Sequence, residues 1–412
     1  MPGSEPQYFE YIVVGCGGIG SAAVYWLSKS ARQGVLGLEQ FKLGHDNGGS
    51  QDHSRIIRLI YHDDCYTKLV RHTYTAFDEV EKESGIKLVY KCGGLEFARN
   101  DEPQGKHLLQ QHAKSMDKQN IPYELLNGNE IRQRFPQFQT DSNVIGLYDK
   151  NSGLVDAAMA NATHIQLARK HGATIRENCK VEKIEKDKDG VHALVSVYTN
   201  QGVFRCRRII VTAGAWSNHV LGSVGIHIPL TVTQEQVTYL ATPNMKEFTK
   251  DNFPVWLYHD PKWDLYGLPL HGNTGSKIGI DACDAVVTPE TRTFEPDPIK
   301  EQICIKFFER YLPKAIGPTL YSKTCLYTIP PDRNFVVDSL SNKDLPQVIV
   351  CIGAGHAYKF TCLLGKILSE MAIDGKTQYP IDEFKIDRRT LTDANFKPNF
   401  HHRQYRKQTA KL

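Results

Sequence analysis

No uninterrupted apolar run in the 412 residues approaches ~18 residues, so no membrane-spanning helix is expected and no membrane partner. Met1–Glu10 has neither a basic region nor an apolar core, which argues against a secretory leader. The ten cysteines include no Cys-x-x-Cys pair, so neither a zinc centre nor a disulfide scaffold is expected, and no metal. Internal repeats and low-complexity segments are missing. So is any nucleophile–base signature with local spacing that would point to hydrolysis. An excess of one charge is also absent from the body of the chain. Lys397, Arg403, Arg406, Lys407 and Lys411 stand in a C-terminal stretch with no acid; without those five the 50 basic residues become 45, against 46 acidic ones. That leaves no basic face for nucleic acid. Hydrophobic content of 41% and charged content of 23% are ordinary for a globular protein, and the length allows two domains.

What is present begins at Tyr11. Ile12, Val13 and Val14 form a β-branched run suited to a strand buried on both faces. Gly15, Gly17 and Gly20 then fit G-x-G-x-x-G. The first allows a tight turn, the second lets backbone approach a pyrophosphate, and the third lets the following helix pack on the strand. That helix presents unpaired N–H groups and a partial positive charge to phosphates. A second strand, 35–38, delivers Glu39 nineteen residues after Gly20, where a carboxylate can accept from both ribose hydroxyls. The acid disfavours NADP and leaves NAD and FAD open.

Buried strands ending in small residues recur: 209–211 before Thr212-Ala213-Gly214, and 348–352 before Gly353-Ala354-Gly355, where a helix from about Tyr358 to Ile373 follows. Other expected helices run from an Asp156 N-cap to His171 and, after Asp297-Pro298, to Tyr311. Leu88–Phe97 reads as a strand pair turning at Gly93-Gly94, and Asp189-Gly190 and Asn200–Gly202 as hairpin turns. Strand-rich stretches, 228–280 among them, separate the glycine-ended strands. The pattern is an α/β dinucleotide domain assembled from discontinuous segments, interrupted by a mostly antiparallel domain.

Several charged residues sit where chemistry could use them. Arg55 and Arg58, three apart, could clamp a carboxylate bidentately. Lys359 opens the last helix, where the dipole disfavours a cation, which suggests an anion to hold. Alternation sets Lys277 on the face opposite Ser276, Ile278 and Ile280. Cys325 by itself reads as a small buried hydrophobe, and His356 as a capping or core histidine.

Taken in order, Gly15–Gly20, Ser54-Arg-Ile-Ile-Arg58, Tyr266–Pro269, Lys277, Cys325–Tyr327, Asp332, Val337-Asp338 and Gly355–Lys359 resemble the monomeric sarcosine oxidase and pipecolate oxidase family, most closely its peroxisomal animal members. The resemblance runs over about 8–385. It implies a Rossmann-like FAD-binding domain (8–90, 150–225 and 322–385), an inserted mixed-sheet substrate domain (91–149 and 226–321) and a basic tail (386–412), in the manner of glutathione reductase and D-amino-acid oxidase. It also implies FAD bound covalently through Cys325. Lys277 would face flavin N5 and activate oxygen, Arg55 would lie beside the ring, Arg58 and Lys359 would bind the substrate carboxylate, and Tyr266 and Tyr327 would line the substrate pocket. Ser54, Val181, Gly214, Gly353 and Gly355 complete the expected cofactor contacts.

The implied reaction oxidises sarcosine or L-pipecolate to an imine and reduces O2 to hydrogen peroxide, in a monomer. The alternatives are a larger or cationic secondary amine (saccharopine-like) and an NAD-dependent dehydrogenase. Two positions depart from the family pattern: Asp281 and Gln51 stand where histidines are usual, and Asp281 would favour a cationic substrate. Ala410-Lys411-Leu412 resembles the Ser-Lys-Leu address, implying a peroxisomal import receptor as partner and the peroxisome as location.

Overall fold

The structure is a computed structural model that describes residues 6–61, 63–187, 194–281 and 285–398. The Asp189-Gly190 turn and the Ala410–Leu412 tripeptide lie outside the described residues.

The first sheet has a parallel centre. Gln7–Val14 lies between Val35–Leu38 and Gly202–Val211; Thr174–Arg176 extends one side, and Leu345–Ile352 pairs with the end of Gly202–Val211 on the other. The run read as doubly buried is so. Tyr11 and Val13 enter one apolar cluster, and Ile12 and Val14 the opposite one. Helix Gly18–Ala31 follows directly and packs on the last long helix, Thr361–Asp374, where Gly365 lies against Ala22. Strands 195–199 and 202–211 form the hairpin expected at 200–202.

The second sheet is mixed. It carries, in order, Val286–Val287, Thr231–Ala241, Gly275–Ile280, Asp264–Leu268, Val255–His259, Gly94–Arg99, Val144–Asp149 and Glu124–Asn127, with Thr319–Ile329 also paired to Thr231–Ala241. Its outer face, with Ile278 and Ile280, packs on helix Pro298–Tyr311 through Phe307, Phe308 and Tyr311. The boundary expected at 322 therefore falls inside a strand of this sheet.

The hairpin expected over 88–97 does not form. Val89–Tyr90 joins a small sheet with Ser54–Ile57 and Gly153–Asp156, while Gly94–Arg99 joins the second sheet. The chain passes between sheets at Gly93, whose φ of 80° and N–H bond to the Ser152 carbonyl divert it where a two-strand turn was read. Asp156 caps helix Ala157–Lys170 through Met159 N–H, and Asp297 caps Pro298–Tyr311 through Ile299 N–H, as read. The last helix begins with a 3-10 turn, Ala357–Phe360, ahead of the α-helix.

Candidate functional site

One cavity of about 890 Å³ runs from the carboxyl ends of the parallel strands to the inner face of the second sheet. Ligands of doubly wound sheets gather at such strand ends.

At the strand-end side, Gly15 turns with φ 87°, and a Cβ there would lie 2.7 Å from the Thr212 carbonyl oxygen, so the ends of two strands nearly touch. Gly20 does not line the cavity. A Cβ on it would stand 1.7 Å from the Gly15 oxygen, so its role is to seat the helix on the turn. Gly18 N–H donates to Ser50 Oγ at 2.8 Å, a contact without local signal in the sequence because Ser50 belongs to an irregular loop 32 residues downstream. Glu39 is buried; its Oε2 accepts from Cys16 N–H at 2.9 Å, and its Oε1 from Phe41 N–H at 3.1 Å and faces His45 at 3.2 Å. With about four acceptor positions on a carboxylate, most of its capacity is internal, and Oε2 keeps room for one hydroxyl rather than two. Val181, Gly214, Gly353 and Gly355 line the same cavity; Ser54 does not.

At the sheet side, strand alternation decides what faces inward. Lys277 and Gly279 share one face of Gly275–Ile280, and Asp281 follows directly after its end. Tyr266 pairs across from Gly279, and its ring fills the space a side chain there would need. Cys325 and Tyr327 come from Thr319–Ile329, in register with Glu235 and Thr233. Lys277, Tyr266, Cys325, Tyr327, Asp281, Arg55, Arg58 and Lys359 all line the cavity.

Lys277 is tied to Asp52, a residue sequence reasoning missed. Its Nζ donates to Asp52 Oδ2 at 2.6 Å and to the Ser54 carbonyl at 2.7 Å. Asp52 also accepts from Arg55, from Tyr239 Oη at 2.5 Å and from His53 N–H at 2.8 Å. Burial works to raise the Asp52 carboxyl, but Lys277 and Arg55 hold it well below the usual carboxylate range. Burial pushes Lys277 down to about 8 against the pull of Asp52. Two of three ammonium donors are thus spent, leaving one for the cavity. Gln51 lines the cavity, whereas His53 leans on Gly272 and Tyr239.

Arg58 binds Glu96, which is fully buried and meets His112 at 2.8 Å and His259 at 3.1 Å; His259 in turn meets Asp264 at 3.2 Å. Glu96, His112 and His259 offer three ligand atoms close enough for one metal ion. The Arg58 guanidinium on the same carboxylate makes a hydrogen-bonded anchor the better chemistry, because a second cation there would be repelled. Lys359 donates to the His356 carbonyl at 2.9 Å and has no carboxylate in ion-pair range among the described residues. Burial first, then Arg58, pulls it well below the ordinary lysine value. An anion placed between Arg58 and Lys359 would relieve that conflict.

A sequence model described as FAD dependent oxidoreductase matches residues 10–371. The chain belongs to the FAD-dependent oxidoreductase family. It is 31% identical over 396 residues to the monomeric sarcosine oxidase of Streptomyces avermitilis, covering 95% of this chain and 99% of that one. It is 28% identical to the peroxisomal sarcosine oxidase of Homo sapiens, covering 93% and 97%. Among solved structures, the open form of NikD, an amino acid oxidase of nikkomycin biosynthesis, superposes with a TM-score of 0.80 at 25% identity, covering 92% of this chain and 97% of that one. The residues present fit the family's cofactor. The cavity is large enough for a dinucleotide, backbone at 15–18, 212–214 and 353–355 approaches it, and Glu39 faces its strand-end side.

Proposed function

We propose that this protein oxidises the N–CH bond of a small secondary amino acid, with sarcosine and L-pipecolate as the leading substrates, and passes the electrons to O2 as hydrogen peroxide. The observation that carries the reading is the placing of Arg58 and Lys359, the lysine with no carboxylate in ion-pair range among the described residues, beside Tyr266 and Tyr327 in the cavity that also holds the dinucleotide cradle. Bound FAD supplies the two-electron acceptor. Arg58, fixed by Glu96, and Lys359 bind the substrate carboxylate and so orient the N–CH carbon; Tyr266 and Tyr327 enclose it and exclude water. Lys277 keeps a cation in the cavity, which stabilises negative charge developing on O2. Cys325, on the cavity wall near Arg55 and Lys277, is the residue for covalent attachment. The enzyme acts as a monomer in the peroxisome, in keeping with the names of its relatives.

The purified protein should be yellow and should bleach anaerobically with N-methylglycine or L-pipecolate. A coloured protein that no secondary amino acid bleaches would overturn the reaction. Cys325→Ser should release the flavin on acid precipitation, whereas wild type keeps the colour in the pellet; colour retained by the variant would remove Cys325 from the attachment. Gel filtration and co-localisation of the full chain with a peroxisomal marker test the last two points.

A further inference from the structure

Asp281 is expected from the sequence to put a carboxylate near the amine and to favour a cationic substrate. The structure places it otherwise. It follows directly after the strand that carries Lys277 and lines the same cavity, beyond the gap at Gly279 filled by the Tyr266 ring, and Arg333 Nη2 donates to both its oxygens at 2.8 Å. Arg333 arrives from the turn between Thr319–Ile329 and Val336–Leu340, with φ 57°, and its carbonyl lies 3.1 Å from Nε2 of His356, three residues before Lys359. The pair therefore joins the end of the Lys277 strand to the segment carrying Lys359. Asp281 lines the cavity, and Arg333 holds it without itself lining the cavity; their side chains are 33% and 25% exposed, against 3% and 2% for Asp52 and Lys277. Arg58, Lys359, Tyr266 and Tyr327 all feel the charge of Asp281. Arg333 Nε is buried without a hydrogen-bond partner among the described residues.

We propose that the Asp281–Arg333 pair determines specificity as a mutually neutralised wall, selecting secondary amino acids with one carboxylate and an otherwise uncharged body. This rests on the reaction proposed above. A second cation on the substrate finds Asp281 already taken and Arg333 repelling it; a second anion finds the reverse. Either must lose water without gaining a partner, and a site rejects such a group strongly.

Removing one member should uncover the other. Arg333→Met should shift kcat/KM toward Nα-methyl-L-lysine over N-methylglycine by about tenfold, and Asp281→Asn should shift it toward N-methyl-L-aspartate by a similar factor. The double variant should lose both gains. Binding of acetate, 6-aminohexanoate and glutarate, read from perturbation of the flavin spectrum, should follow the same order without turnover. If wild type oxidises none of the N-methyl compounds, the reaction fails, while the three dissociation constants still judge the wall. Ratios unchanged in both single variants, or both variants favouring the same charge, would overturn the inference. If Arg333→Met does not fold, the Asp281→Asn arm decides alone.

Discussion

The two ends of the cavity are built by different means. The nucleotide end is mostly backbone: a turn, two further strand ends and one inward acid, drawn largely from 30 consecutive residues, 10–39. The reactive end is side chains paired across the fold: Asp52 with Lys277, Glu96 with Arg58, Asp281 with Arg333. Backbone cradles tolerate little change of shape. Ion-pair networks tolerate shape but depend on charge balance, because each partner removed leaves a buried charge behind. The ends should therefore fail differently.

The largest effect is expected at the nucleotide end. Gly20→Ala puts a methyl 1.7 Å from the Gly15 oxygen, which no side-chain movement relieves. It should lower stability by about 3 kcal/mol, seen by thermal unfolding, and prevent flavin incorporation during expression, seen by absorbance. A variant that retained flavin would break the contrast. Next comes Lys277→Met, which should slow reoxidation of reduced enzyme by O2 by about 10²–10³ while changing anaerobic reduction much less. In wild type the cation is present below about 8 and is lost above it, so reoxidation should fall as pH rises through about 8. In Lys277→Met that pH dependence should vanish, and stopped-flow reoxidation across pH tests both points.

The same contrast governs what could be read in advance. The doubly buried strand, the glycine spacing, the acid at 39 and the caps at Asp156 and Asp297 are local patterns, and local geometry decides them. Strand alternation also put Lys277 opposite Ile278 and Ile280. Asp52, Ser50 and Glu96 left no such trace. Asp52 and Ser50 lie in an irregular loop, and Glu96 looks like one polar residue in a short strand; the lysine that Asp52 holds and the arginine that Glu96 holds stand 225 and 38 positions away. Alternation shows which face a residue takes, not which charge it meets. Hence Asp281, expected to favour a cationic substrate, proves to be paired with Arg333, and Glu39, expected to accept from two hydroxyls, proves largely occupied by Cys16, Phe41 and His45.

Glu96 offers a smaller break on the charged side. Glu96→Gln keeps the shape and removes the charge that anchors Arg58, so it should cost about 2 kcal/mol of stability. KM for the amino acid should rise about tenfold, a loss of 1.4 kcal/mol, with kcat less affected, because Arg58 would keep its place near the carboxylate but lose its fixed orientation. Steady-state kinetics with the same panel tests this. An unchanged KM would mean that Glu96 supports the fold and not the clamp.

The smallest effect sharpens the comparison most. Tyr239 is buried, stacked on Tyr321 with ring centroids 4.7 Å apart, and gives its hydroxyl to Asp52. Tyr239→Phe preserves the packing and removes one of several donors to that carboxylate, at a cost of about 1 kcal/mol. Asp52 then has more of its charge available to Lys277, so the ammonium should be held more firmly. The pH at which reoxidation falls should move upward, by about half a unit or less, since one unit corresponds to about 1.4 kcal/mol. A shift downward would show that Tyr239 and Lys277 do not compete for Asp52. No shift, with the stability loss present, would show that the hydroxyl acts on the fold alone and that charge at the reactive end is set by Asp52, Arg55 and Lys277 without it.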